Sequence, residues 1–227
     1  MKILQKKKYL NEILKVFSPD KALYWIALEE LADCFCEEKN YKKSISLFTS
    51  MIEQNEQGSV FQLLGYYGRA WSYYEMEEYD KTLENYTAII EYGSWINEKH
   101  KFDDIYDSVI PFHIFPMEVY EKRALLFRYE IPFKENITKE NEFELKAIAE
   151  YSKAIDIAKK MPKNARHLAG YYFHRSVLYK EIKEFDKTIE DCSAIIALGK
   201  EAGDLLEYAI EEQKMLCLKK GDKGNEF

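Results

Sequence analysis

The chain is 227 residues long, 47% apolar and 15% aromatic, with only 9 Gly and 5 Pro: enough to bury a sizeable core, and too poor in turn residues for an all-β fold. A formal charge of -7 argues against a duplex nucleic-acid partner, whose phosphates require a basic face. The 4 cysteines have no CxxC spacing and suggest neither a zinc site nor a disulfide framework, and no run approaches the ~18 consecutive apolar residues of a membrane span.

The N-terminal stretch MKILQKKKYLNEILKVF lacks the long apolar core of a secretory signal, so a cytoplasmic location with reduced thiols is expected. Within it Ile3, Leu4, Leu10, Ile13, Leu14 and Phe17 form a helical stripe, which predicts a leading helix over 2–17, closed by Ser18-Pro19-Asp20. Lys6-Lys7-Lys8 is the only basic run, and its place on an amphipathic helix makes it a solvated face.

Residues 22–55 read as a helix pair. Leu28, Leu31, Ala32 and Phe35 lie on the first helix, Glu38-Lys39-Asn40 make the turn, and Tyr41, Ile45, Phe48, Met51 and Ile52 lie on the second. Residues 60–93 repeat the pattern most clearly. Tyr66, Ala70, Tyr73, Tyr79, Leu83, Tyr86, Ile89 and Ile90 recur at helical steps around the acidic turn Glu75-Met76-Glu77-Glu78.

The next stretch, 94–116, suggests a short extra helix that Pro111 and Pro116 punctuate at its exit. A third copy over 117–160 aligns through Arg123-Ala124 and carries an insertion at 132–141, which costs little closure entropy between two helices. The fourth copy, 167–199, matches the second in register: Arg69 with Arg175, Tyr73 with Tyr179, Tyr79 with Phe185, Thr82 with Thr188 and Gly93 with Gly199. Residues 202–220 then read as a capping helix with its turn at Gly221-Asp222. Gly93 and Gly199 are expected to end their helices in a left-handed cap, and Thr82 and Thr188 to bond back to a preceding carbonyl.

A small residue in each first helix (Ala32, Ala70, Ala124, Ser176) is followed three positions later by an aromatic (Phe35, Tyr73, Phe127, Tyr179). An aromatic also opens three of the second helices (Tyr41, Tyr79, Phe185). This pattern resembles the tetratricopeptide repeat. The family's Gly after the first-helix leucine is Ala or Ser here, and the alanine opening its second helix is Ser44, Thr82 or Thr188. The resemblance implies an all-α, right-handed α-solenoid forming a single domain over 1–227, with a concave groove lined by first-helix residues. Carried over one by one, the groove positions are Ile26, Glu29, Asp33 and Cys36, then Leu64, Tyr67, Trp71, Tyr74 and Glu75, then Glu118, Glu121, Leu125, Arg128 and Tyr129, then Phe173, Val177, Lys180 and Glu181. Of these, Glu29, Asp33, Tyr67, Trp71, Tyr74, Glu75, Glu121, Arg128, Phe173 and Lys180 are the candidate binding residues.

Aromatic side chains that complete no core are typical binding anchors. The structural alternative is that Tyr67 and Trp71 merely pack on the next helix or on the segment around Trp95. Family members that bind the acidic tails of heat-shock chaperones use Lys and Asn where Glu29 and Asp33 stand here. A basic or amphipathic ligand therefore suits this lining better.

His100, His113, His167 and His174 are the only imidazoles, and none belongs to a recognised ligand spacing. No phosphate loop, GxSxG elbow or HExxH is present. The expectation is a non-catalytic module without metal or cofactor that binds a peptide or protein and neither nucleic acid nor membrane. The alternatives are a dedicated inhibitor that neutralises a basic effector, and a structural subunit of a homo-oligomer.

Overall fold

A computed structural model of the chain describes residues 3–93, 115–131, 141–160 and 165–223. The expected extra helix in 94–116, up to residue 114, and the insertion, 132–140, lie outside them. The described residues are all-α, with no strand among them. The described residues divide into two compact units, 3–93 with 115–119, and those from 120 onward.

In the first unit, α1 (Ile3–Val16), α2 (Ala22–Glu37), α3 (Tyr41–Gln54), α4 (Val60–Tyr74) and α5 (Tyr79–Tyr92) each pack on the next in chain order. Helix α1 covers α2 as its stripe predicts: Leu10 is buried with Ala27, Leu31, Cys34 and Phe35, and Ile3, Ile13 and Leu14 close around them. Leu4 departs from the stripe, 77% exposed on the outer face. Two ion pairs clamp α1 along α2, Lys6 with Glu30, and Lys7 with Glu38 at 2.6 Å. Helix α2 begins at Ala22, and the Trp25 indole N–H donates to the Pro19 carbonyl at 2.8 Å, tying the preceding turn down.

Helix α6 (Pro116–Leu125) runs directly into a π-helical turn, Leu126–Glu130. In the second unit, α7 (Glu142–Ala158), α8 (Ala165–Glu181), α9 (Phe185–Ala197) and α10 (Leu205–Lys223) again pack in chain order. Helix α7 starts at Glu142, five positions ahead of the Ala147 where its apolar pattern becomes legible. The expected turn at Gly221-Asp222 does not form, because α10 continues through both residues to Lys223. No helix among the described residues is long and apolar enough to cross a membrane.

The steric logic of the repeat is met at its four small positions: Ala32, Ala70, Ala124 and Ser176 are each 0% exposed, as contact between neighbouring helices requires. Of the four tyrosines expected to fill the central repeat, only Tyr86 is fully buried, while Tyr66, Tyr73 and Tyr79 are half-buried at its edge.

Three hairpin turns share one construction. Lys39, Glu77 and Lys183 all take left-handed backbone, φ 59°, 58° and 64°. In each, the following N–H donates back to the carbonyl five residues earlier (Asn40 to Phe35, Glu78 to Tyr73, Glu184 to Tyr179), satisfying helix-end carbonyls in a Schellman motif. Thr82 and Thr188 do back-bond, their hydroxyls donating to the carbonyls of Glu78 and Glu184 at 3.2 Å.

Only one of the two glycine caps takes the expected left-handed form. Gly199 is left-handed, φ 59°, but Gly93 sits at φ -90°. Glycine is needed at Gly93 for space, because a Cβ there would meet the Ile89 carbonyl oxygen at 2.6 Å and Leu63 at 3.3 Å.

An arginine ties together the helices of each well-defined repeat. Arg69 on α4 donates to Asn85 on α5 at 2.8 Å and to Thr49 on α3 at 3.2 Å. Arg175 on α8 makes the same reach to Asp191 on α9, at 2.9 and 2.6 Å, and to Ser152 on α7 at 2.8 Å. In the third repeat Arg123 pairs with buried Glu150 at 3.1 Å.

Candidate functional site

Helix α3 packs against both α2 and α4, the two helices that the sequence pattern places first in their pairs. Their facing surfaces line an open cavity of about 550 Å³. The helical period selects what lines it. From α2 come Glu29, Asp33, Cys36 and Glu37, at steps of three and four; from α4 come Leu64, Tyr67, Gly68 and Trp71, followed by Glu75 just past its end. Helix α3 supplies Phe48 and Tyr41, and its preceding turn supplies Lys39.

Five of the six first-unit candidate binding residues read from the sequence therefore line one cavity: Glu29, Asp33, Tyr67, Trp71 and Glu75. The sixth, Tyr74, stacks on Trp71, with ring centroids 5.5 Å apart and planes 25° from parallel. Trp71 is 44% exposed, so its indole completes no core.

The anionic wall is electrostatically uncomfortable. Burial first, then the neighbouring Asp33 and Glu30, push the Glu29 carboxyl up to about 7. Burial and Glu30 push Asp33 up to about 6, against the opposing pull of Lys6. Asp33 keeps a water-exposed edge, so its shift reflects a concave wall and not full enclosure. Burial also raises the Cys36 thiol, which therefore keeps its proton and is a poor nucleophile.

The four second-unit candidates are not gathered in this way. Glu121 lines a separate cavity of about 600 Å³ with Arg166, His167, Gly170, Tyr171 and the turn 200–205. Arg128 pairs with Glu181 at 2.7 Å. Phe173 meets Tyr208 edge-on at 4.9 Å, and Lys180 pairs with buried Glu212 at 2.8 Å, so both serve the packing of α8 against α10. His174 stacks on Tyr151 at 5.4 Å, where burial and Arg128 lower its basicity. Among the described residues no three His, Cys, Asp or Glu side chains come together as a metal-ligand set.

Glu37, Lys39, Tyr41, Phe48 and Gly68 belong to the first cavity but were not legible as lining. The signal for Gly68 was the spacing Gly65-x-x-Gly68, two glycines on one helix face, which marks a close helix approach. A Cβ on Gly65 would meet Met51, Ile52 and the Phe48 carbonyl, each at 3.0 Å.

No protein-family model matches the chain and no curated protein matches it in sequence. What geometry alone establishes is that the described residues are all-α, with consecutive helices packed within each unit, compatible with a helical repeat, and with an aromatic and acidic cavity between α2 and α4.

Proposed function

We propose that this chain is a non-catalytic interaction module of the tetratricopeptide-repeat kind, holding a basic segment of a protein partner against α2 and α4. One observation carries the reading: the exposed indole of Trp71, beside the half-buried Tyr67 ring that packs on Tyr86, faces the same cavity as carboxylates with no ion-pair partner among the described residues. Aromatic rings give contact area at low entropy cost, and carboxylates that burial has made reluctant to ionise gain from a cation. The repeat assignment draws support from the four fully buried small positions and from the three turns built alike.

The test is selection of peptides from a random displayed library on the immobilised chain, with a variant carrying Tyr67→Ala, Trp71→Ala and Tyr74→Ala as the counter-target. Enrichment of lysine- and arginine-containing peptides by the native chain, lost in the variant while its helical circular dichroism persists, supports the proposal. Equal capture by both chains, or enrichment of acidic peptides, refutes it.

A further inference from the structure

We infer that the cavity between α2 and α4 is a socket for a single arginine side chain, the guanidinium face lying against Trp71 and its edge donors turned to Asp33 and Glu29. This inference deepens the interaction-module reading and rests on it for the source of the arginine, the bound segment.

The chemistry of the two walls differs in the way a guanidinium requires. Glu29 and Asp33 stand one turn apart on α2, and Tyr67 and Trp71 one turn apart on α4, all lining the same cavity. One wall thus offers acceptors to the edge of a planar cation and the other offers aromatic rings on which its plane can stack. Tyr74 backs the indole of Trp71 by stacking on it, which orients the ring before any ligand arrives.

Charge within the molecule leaves these carboxylates over. On the same helix Glu30 takes Lys6, and Glu38 just beyond takes Lys7. Glu29 and Asp33 have no such ion pair among the described residues. The cavity lining carries four carboxylates, Glu29, Asp33, Glu37 and Glu75, against one ammonium, Lys39. Burial holds the two inner carboxyls above their ordinary range, so a cation placed between them recovers the lost ionisation.

Arginine fits better than lysine for a stated reason. A guanidinium is planar, weakly hydrated and stacks on indole while its edge donates forked hydrogen bonds to carboxylates. An ammonium is strongly hydrated and points donors in three directions, and the ring wall accepts none of them well. A cavity of about 550 Å³ lies within the ordinary range for small-ligand sites, with room for the side chain and accompanying water.

The experiment titrates the full chain with N-acetyl-arginine amide, N-acetyl-lysine amide and the uncharged isostere N-acetyl-citrulline amide. The readout is the Trp71 indole N–H signal by NMR, assigned with Trp71→Phe. Saturable movement with arginine is expected, with about tenfold weaker response to lysine and none to citrulline. Asp33→Asn and Glu29→Gln should each weaken the arginine response by about tenfold, both side chains lying at the cavity wall and outside the core. A silent Trp71 signal, equal response to lysine or citrulline, or full response in both carboxylate variants overturns the socket.

The two proposals fail separately. Displayed peptides captured through Tyr67, Trp71 and Tyr74 without an arginine requirement would sink the socket and leave the interaction module standing. Arginine amide bound at Trp71 with no displayed peptide captured would sink the module and leave a site for small guanidinium compounds.

Discussion

The ring of Phe48 lies so close over Gly68 that a Cβ on this glycine would come within 2.2 Å of it. Phe48 is 1% exposed, so its ring could yield only by swinging into the cavity it lines and giving up its packing, and α3 and α4 meet at a distance that glycine permits without that shift. Gly68→Ala is expected to destabilise the first unit by about 1–3 kcal/mol despite alanine's better helix propensity. At Gly170, on α8, an added methyl group would meet nothing within 4 Å, and Gly170→Ala should instead stabilise by about 0.5–1 kcal/mol. Thermal melts of the two variants must move in opposite directions; movement in the same direction contradicts the packing.

The arginine clamp offers an internal comparison. Arg175 faces a carboxylate, Asp191, where Arg69 faces an amide, Asn85, whose own N–H₂ donates to the Lys81 carbonyl at 2.7 Å. Since Lys187 occupies the place of Lys81, Asp191→Asn should be nearly neutral, within about 1 kcal/mol. Asp191→Leu leaves the half-buried guanidinium hydrogen-bonded to Ser152 alone and should cost about 2–4 kcal/mol. Urea denaturation of both variants checks this, and similar midpoints would show that a hydrogen-bond acceptor for Arg175 at this position is not what holds α8 to α9.

Left-handed backbone at Lys183 places an L-residue where its Cβ crowds the following carbonyl oxygen. Lys183→Gly is expected to stabilise the second unit by about 0.5–1 kcal/mol, the steric relief exceeding glycine's extra unfolded-state entropy. A lowered melting temperature would mean that the turn is held by its side chain and not by its backbone bonds.

The raised carboxyls of the cavity set a pH dependence. With Glu29 near 7 and Asp33 near 6 in the folded chain, both above the unfolded values, folding takes up protons between the two ranges. The cost of their charge is therefore fully present above about pH 7 and fades as the pH falls towards the ordinary carboxylate range. The groups facing them, Lys6, Glu30 and Glu37, leave that sign unchanged. Glu29→Gln should raise the stability of the first unit by on the order of 1–2 kcal/mol at about pH 8, and hardly at all at about pH 4. A gain of equal size at both pH values would place the origin outside ionisation.

Local physics made much of this protein legible in its sequence. Apolar residues at helical steps announce α1 to α5 and α7 to α10, and small residues at Ala32, Ala70, Ala124 and Ser176 announce where helices touch, because both patterns arise from period and steric bulk within a few turns. The likeness of Glu29, Tyr67, Glu121 and Phe173 as groove positions was equally legible, and there the sequence stopped. Tertiary packing decided their different fates. Helix α10 draws Phe173 to Tyr208 and Lys180 to Glu212, whereas the face between α2 and α4 stays open. The docking of α1 likewise hands lysines to Glu30 and Glu38 and leaves Glu29 and Asp33 without one. Which carboxylates lack a partner depends on residues many positions away being brought alongside, and a pattern read along one chain carries no record of that meeting.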